Sequence, residues 1–429
     1  MKNTFFSLLL ALMLLLGVMA VSATEKAVVS AGLCVLAERT DMAKTAILGE
    51  NISFSKEDFL RSMNLKNIKD VTFENIPQLT DGRLVIGNVT VSAGDTIKGD
   101  NLDLLKFIPA SDSVEKSSFD FSTGEGYSIR CNLYFVEKIN YSPTVSTAED
   151  KSVSIWTHDM VSRVGKLEAY DPEGDSFVYE ITSYPKNGAL VLLDRSEGRY
   201  VYTPRDDFSG KDSFSYVARD MYGNYSSARK VSVDVRERRA SVTFGDIDDC
   251  NVYNAALTAV ENSLMSGTEI DGVTYFSPRQ TISRAEFLTA AMKAAGISEP
   301  APDQEVIFDD DEDIPGEYKG YINTAYRLGY ISGTPADGKL CFMPNSSVTR
   351  AEAAVMLNAI ISAKKTAGVP IVLPVFADSS QLPVWASDAI YSMNSLGVME
   401  SVDGYAAHSE SVTRGEAAQM LEVVINIYN

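Results

Sequence analysis

The run Ser347-Val348-Thr349-Arg350-Ala351-Glu352-Ala353-Ala354-Val355-Met356-Leu357 decides how the second half of this chain folds. Thr-x-x-Glu ahead of an apolar stretch is a capping box. The hydroxyl accepts the amide three residues on, and the carboxylate reaches back to the cap amide. A helix therefore starts at Thr349 with Arg350 in its first position. The same phrase occurs as Ile282-Ser283-Arg284-Ala285-Glu286 and as Val412-Thr413-Arg414-Gly415-Glu416, the arginines lying 66 and 64 residues apart. Each copy is preceded by a Phe-x-Asp (Phe244-Gly245-Asp246, Phe308-Asp309-Asp310, Phe376-Ala377-Asp378) and by an Asp-Gly turn at Asp271, Asp337 or Asp403. A period of about 65 residues with fixed internal punctuation marks units that bury a shared core. Within the first unit Tyr253, Leu257, Val260 and Leu264, then Phe287, Leu288, Met292 and Ala295, each fall on one helix face.

An arginine at the first turn of a helix sits where free N–H groups and the macrodipole favour anions, and its fork suits a carboxylate. The plainer alternative is that the arginine pairs with the nearby Phe-x-Asp aspartate. Residues 244–429 hold 10 Lys and Arg against 25 Asp and Glu, so −15 of the total −20 lies here. General attraction to a polyanion is thereby excluded, and any anion must be held locally.

The tandem Phe-x-Asp … Thr-Arg-Ala-Glu pattern resembles S-layer-homology (SLH) domains over about residues 242–427. The resemblance implies three repeats, 242–301, 306–368 and 374–429, folded as one all-α pseudo-threefold SLH helical bundle. It further implies binding of a secondary cell wall polysaccharide, often pyruvylated, in grooves between repeats. Carried onto this sequence, the anion-holding residues are Arg284, Arg350 and Arg414, and the motif aspartates are Asp246, Asp310 and Asp378. Trp385, Tyr318 and Tyr253 are the aromatic positions near the first helices, open to sugar stacking or to core packing. Gly267 and Gly333 admit a ligand close to the backbone. Repeat 3 departs with Glu400-Ser401, His408 and Gly415, and repeat 1 with Ser263 where the others have Gly329 and Gly397, so repeat 2 is expected to be the most intact.

Upstream the period changes to two. Runs such as VTFENI, RLVIGNVTV, LLKFIPA and CNLYFVE predict an all-β sandwich over 24–140, interrupted by a short helix at 55–65 capped by Ser55. Seven further short strands predict a second sandwich over 141–237. The order Pro77, Gly82, Leu84, Phe107-Ile108-Pro109, Ser118-Phe119 returns as Pro185, Gly188, Leu190, Tyr202-Thr203-Pro204, Ser213-Phe214. This order resembles cadherin-like and bacterial Ig-like tandem modules. Asp171, Glu173 and Asp175, with Asp220, Glu149 and Asp150, resemble the calcium loops of cadherin-like domains; a solvated acidic turn is the alternative.

The net charge of −20 argues against nucleic acid, which needs clustered Lys and Arg. Residues 1–23 read as a signal peptide, with Lys2 before an apolar run and Val21-Ser22-Ala23 as cleavage site. The expected location is therefore the secreted, wall or S-layer surface, with no membrane span once the signal is removed. Cys34 and Cys131 either form a disulfide or remain buried thiols. Two histidines and no catalytic motif lead to the expectation of a non-enzyme whose β modules are spacers meeting other surface proteins or glycans. A surface adhesin or carbohydrate-binding head, and less so a wall-associated hydrolase, are the alternatives.

Overall fold

The computed structural model describes residues 41–123, 127–145, 153–297, 307–364 and 376–428. The signal segment, Cys34, Glu149 and Asp150 lie outside these residues, as does the run 27–37 read as the first strand. Contacts divide the chain into two units, one holding the strand-rich segments Val28–Met160 and Val164–Val235, the other Arg236–Asn429 with Val161–Arg163.

In the strand-rich unit the first module has a five-stranded sheet ordered β1-β9-β8-β3-β6. These strands are β1 (Met42–Ile47), β9 (Tyr127–Val136), β8 (Lys116–Thr123), β3 (Asp70–Asn75) and β6 (Thr96–Lys98). A second sheet is ordered β2-β7-β4-β5, from Ile52–Ser53, Leu105–Pro109, Gly82–Ile86 and Val89–Thr90. Alternation along the strands sends Phe73, Phe107, Phe119, Phe121, Leu133 and Phe135 into one core. The edge strand β1 was not anticipated; it pairs in parallel with β9, Met42 opposite Cys131 through Ile47 opposite Val136. Cys131 is fully buried there, and burial pushes its thiol pKa well up. Helix α1 (Lys56–Met63) starts at the expected Ser55, whose hydroxyl accepts from the Asp58 N–H while Asp58 accepts from the Ser55 N–H at 2.8 Å. It stops at Asn64 in the left-handed region, φ 51°.

The second module has a four-stranded sheet of β10 (Val153–His158), β16 (Arg229–Arg236), β15 (Gly210–Asp220) and β12 (Phe177–Ser183). Its three-stranded sheet is β11 (Arg163–Lys166), β14 (Arg199–Pro204) and β13 (Gly188–Asp194). The shared sequence order has a structural counterpart. Gly82 faces Pro109 and Leu84 faces Phe107 in one module; Gly188 faces Pro204 and Leu190 faces Tyr202 in the other. Both glycines lie against an aromatic ring. A Cβ would fall 2.5 Å from Phe107 Cζ at Gly82 and 2.6 Å from Tyr202 Cε2 at Gly188.

The C-terminal unit repeats one plan three times. Helices α2 (Cys250–Glu261), α4 (Gly316–Arg327) and α6 (Val384–Ser395) open the repeats, and α3 (Arg284–Ala294), α5 (Arg350–Lys364) and α7 (Arg414–Tyr428) close them. The expectation of an all-α region needs correction. A hairpin joins β17 (Thr268–Ile270) to β18 (Val273–Tyr275), another joins β19 (Thr334–Ala336) to β20 (Lys339–Cys341), and a single bridge pairs Val402 with Tyr405. The physical cause is the Asp-Gly pair, with φ 50° and 78° at Asp271-Gly272 and 49° and 76° at Asp337-Gly338. Two successive positive φ values make a primed turn whose twist suits paired strands.

The three copies close on themselves. The Val348 N–H donates to the Ile282 carbonyl, the Ile282 N–H to Val412, and the Val412 N–H to Val348, at 3.2, 3.0 and 2.9 Å. All three side chains are fully buried. Each closing helix packs on the opening helix of the following repeat: α3 on α4, α5 on α6, and α7 back on α2.

Candidate functional site

Ring closure places each motif arginine against a different repeat. Arg284 Nη1 meets Glu352 at 2.8 Å, Arg350 Nη1 meets Glu416 at 3.1 Å, and Arg414 Nη1 pairs with Glu286. The Nε groups donate to the carbonyls of Phe342, Ala406 and Phe276 at 3.1, 2.9 and 2.9 Å. The guanidiniums of Arg284 and Arg414 also lie over the Phe342 and Phe276 rings at 5.3 and 5.0 Å. Neither expectation for the arginines anticipated this. The partner is the capping-box glutamate of another copy rather than the nearby aspartate. In two of the three the glutamate divides its oxygens: Glu352 Oε2 holds the Thr349 N–H and Glu416 Oε2 the Thr413 N–H, leaving Oε1 for the arginine.

The helix starts are also less open than expected. The Arg284, Arg350 and Arg414 N–H groups donate to the carbonyls of Ser346, Glu410 and Gln280, and the following N–H groups to Pro344, His408 and Pro278. The third amide of each helix is held by the capping hydroxyl. These N–H groups therefore offer no free anion site, and what remains for a ligand is guanidinium edge and side-chain surface.

The motif aspartates have a separate task. Asp246 accepts from the N–H groups of Phe276 and Ser277, Asp310 from Phe342 and Met343, and Asp378 from Ala406 and Ala407, all between 2.6 and 3.0 Å. The second residue of each pair is left-handed without being glycine: Ser277 φ 57°, Met343 φ 60° and Ala407 φ 51°. That turn aims two successive amides at one point, and a carboxylate there offsets their desolvation and the strain of roughly 1–2 kcal/mol.

Gly267 and Gly333 have an intramolecular reason to be glycine. A Cβ would fall 2.5 Å from Thr274 Cγ2 at the first and 2.8 Å from Phe308 Cε1 at the second. The space is filled by the repeat's own hairpin and motif phenylalanine.

The aromatic positions are not exact equivalents, because Tyr253, Tyr318 and Trp385 are the fourth, third and second residues of their helices. Tyr253 packs edge-on against Phe244 at 5.5 Å. Trp385 is 62% exposed. Tyr318 shares its surroundings with the pair Arg414–Glu286. Burial, then Glu317 and Glu286, push its hydroxyl up to about 12, with Arg414 opposing. The surroundings of Tyr318 thus draw on all three repeats.

The guanidiniums differ in saturation. Arg350 also gives Nη2 to the Glu400 carbonyl, and Arg414 gives Nη2 to the Ser266 carbonyl. Arg284, 7% exposed, bonds through Nε and Nη1, and its Nη2 has no partner among the described residues. Glu400, one of the departures of repeat 3, meets Arg350 through its backbone, its side chain being exposed.

In the second module Asp171, Glu173 and Asp175 bring one carboxylate oxygen each within 4.8 Å of one another. Asp171 Oδ1 accepts from the Glu173 and Asp175 N–H groups at 3.0 and 3.1 Å, while its Oδ2 is buried with no hydrogen-bond partner. Burial, then Asp171 and Asp220, raise the Asp175 pKa. Asp220 is 1% exposed and occupied by the Tyr222 and Asn224 N–H groups and the amides of Asn224 and Asn140.

With this geometry in place, comparison with known proteins finds one family match in each unit. Residues 140–237 match the bacterial cadherin-like domain and residues 307–354 the S-layer homology domain. Among curated relatives, a cellulosome-anchoring protein of Acetivibrio thermocellus is 32% identical over 162 residues, 37% of this chain and 33% of that one. The exoglucanase XynX of Acetivibrio thermocellus is 30% identical over 188 residues, 43% of this chain and 16% of that one. The chain thus spans a third or less of these relatives. The fibronectin(III)-like modules of Clostridium thermocellum CbhA are 15% identical, with TM-score 0.22, over 47% of this chain and 94% of that one. No helix among the described residues is long and apolar enough to cross a membrane.

Proposed function

We propose that this protein is a non-catalytic cell-envelope protein in which three SLH repeats form one wall-binding head. Its ligand is a secondary cell wall polysaccharide carrying acidic groups such as pyruvyl ketals, and its location is the wall or S-layer surface. The observation that carries this reading is the closed ring of three arginine–glutamate pairs. The sites we assign to the polymer are the three junctions at these pairs, each of which joins two repeats. The S-layer homology match over 307–354 and the likeness to an anchoring protein support the same reading.

Among the three, the arginine placed to take a ligand carboxylate is Arg284, whose Nη2 is open. Arg350, in the repeat expected to be most intact, already has a protein partner on each of its three nitrogens. Trp385 offers the one of the three aromatic faces standing mostly in water. The two β modules serve as spacers, and the Asp171–Glu173–Asp175 cluster holds calcium. Its support is the orphaned Asp171 Oδ2, which a hard cation would satisfy within its set of about six to eight oxygens.

Calorimetric titration of the full chain with soluble wall polysaccharide tests the head. Trp385→Ala should weaken binding at least tenfold without changing the melting temperature, since its side chain is largely outside the core. Unchanged affinity would remove Trp385 from the site.

A further inference from the structure

The first β module carries a groove of about 450 Å³ on the outward face of its five-stranded sheet. Its floor follows from strand alternation. Ile129, Cys131, Leu133 and Phe135 point into the core, so Arg130, Asn132 and Tyr134 point out, facing Asp120, Ser118 and Lys116 across the β8–β9 pair. One wall is the loop after β3, where Gln78 and Asp81 stand.

The groove is built rather than incidental. Asp120, 9% exposed, receives Arg130 Nε at 2.9 Å and Nη2 at 3.2 Å, together with the Asn75 amide at 2.6 Å. The Arg130 hydrogen bond is the main reason the Asp120 carboxyl stays below its usual pKa. The wall is pinned by the Asp81 and Gly82 N–H groups on the Gln78 carbonyl, by the Ala110 N–H on the Asp81 carbonyl at 2.9 Å, and by Ser117 Oγ on Asp81 Oδ2 at 3.2 Å. Tyr134 is fixed edge-to-face against Tyr222 at 5.5 Å.

Against this rigid frame several groups stay unspent. The side chains of Gln78, Ser118 and Asn132, and the Nη1 of Arg130, make no hydrogen bond among the described residues. The lining charges balance, Lys116 and Arg130 against Asp81 and Asp120, so no ionic ligand is favoured. Two amides, a hydroxyl and a guanidinium edge around one aromatic ring are the donors and acceptors that match adjacent hydroxyls of a pyranose. The volume falls in the range of about 300–1,000 Å³ usual for small-ligand sites.

We propose that this groove binds a neutral oligosaccharide, with Gln78, Asn132 and Arg130 taking its hydroxyls and Tyr134 lining one side. It is independent of the wall-binding head, which lies in the other unit. The test is calorimetry and saturation-transfer difference NMR on the full chain, with cellopentaose and with penta-N-acetylchitopentaose. At least one should bind, and the double variant Gln78→Ala/Asn132→Ala should weaken that binding tenfold or more. The variant should melt with the wild type, since neither side chain is hydrogen-bonded in the fold. Tyr184→Ala, an exposed ring on the second module, should bind as the wild type does. Absence of binding to both pentasaccharides, or equal affinity in the double variant, would overturn the proposal. Binding of an uncrosslinked wall stem peptide in their place would overturn it too, in favour of peptide recognition.

Discussion

Replacing Arg350 by alanine removes one spoke of the ring, and the cost can be worked from its contacts. The side chain is 4% exposed and gives Nη1 to Glu416 at 3.1 Å, Nε to the Ala406 carbonyl at 2.9 Å and Nη2 to the Glu400 carbonyl. Breaking a buried ion pair from one side costs about 3–5 kcal/mol. Glu416 is 32% exposed and keeps its hold on the Thr413 N–H, so water recovers part of that loss. Two carbonyls deprived of charged donors add about 1 kcal/mol each. Taking the ion pair at about 1 kcal/mol, the value for a carboxylate that water still reaches, the total is near 3 kcal/mol, and each 1.4 kcal/mol is a factor of ten. The Val348 and Val412 amides, which close the ring, should therefore exchange with deuterium about a hundredfold faster in Arg350→Ala when followed by native-state hydrogen exchange. Glu416→Gln should cost less, and the double variant less than the sum of the two by about 1 kcal/mol or more. Exchange within threefold of wild type, or strict additivity, would refute the ring as a source of stability.

Other outcomes follow from the same structure. Gly188→Ala pushes a Cβ to 2.6 Å from the buried Tyr202 ring and 2.7 Å from the Thr203 carbonyl; it should destabilise the second module by about 1–3 kcal/mol in chemical denaturation. Asp310→Ala strips two N–H groups of their acceptor beside the left-handed Met343, and should cost about 2–3 kcal/mol, part of which Met343→Gly should restore by relieving φ. Asp175 has a raised folded pKa, so its ionised form disfavours folding: without calcium the second module should gain stability as pH falls through that pKa towards the ordinary carboxylate value, the gain being lost as pH rises. Calcium should reverse the trend above that pKa, and Asp175→Asn should abolish both effects; melting curves with calcium and with chelator over pH 4 to 7 read this out.

The capping boxes, the Asp-Gly turns and α1 with its Ser55 cap were legible because each is written in adjacent residues and governed by local geometry. The pairing of Gly82 with Pro109 and Gly188 with Pro204 was foreshadowed by a shared order of Gly, aromatic and Pro. The arginine partners were not legible. Glu286 is two residues from Arg284, yet it serves Arg414, a choice fixed by closure of the ring rather than by sequence distance. A carboxylate with two oxygens and one capping duty was the available signal. Likewise β1 was not legible, because MAKTAI, half-buried along most of its length, shows little alternation. The hairpins in the C-terminal unit were hidden by their three-residue strands, too short to show a period.

The central claim is that the three junctions of the ring bind an acidic wall polymer. The most direct measurement is co-sedimentation of the full chain with purified sacculi that carry, or have been stripped of, their pyruvyl ketals. The account predicts that the protein pellets with the intact sacculi and stays in solution with the stripped ones. Equal sedimentation with both, or with neither, would contradict it.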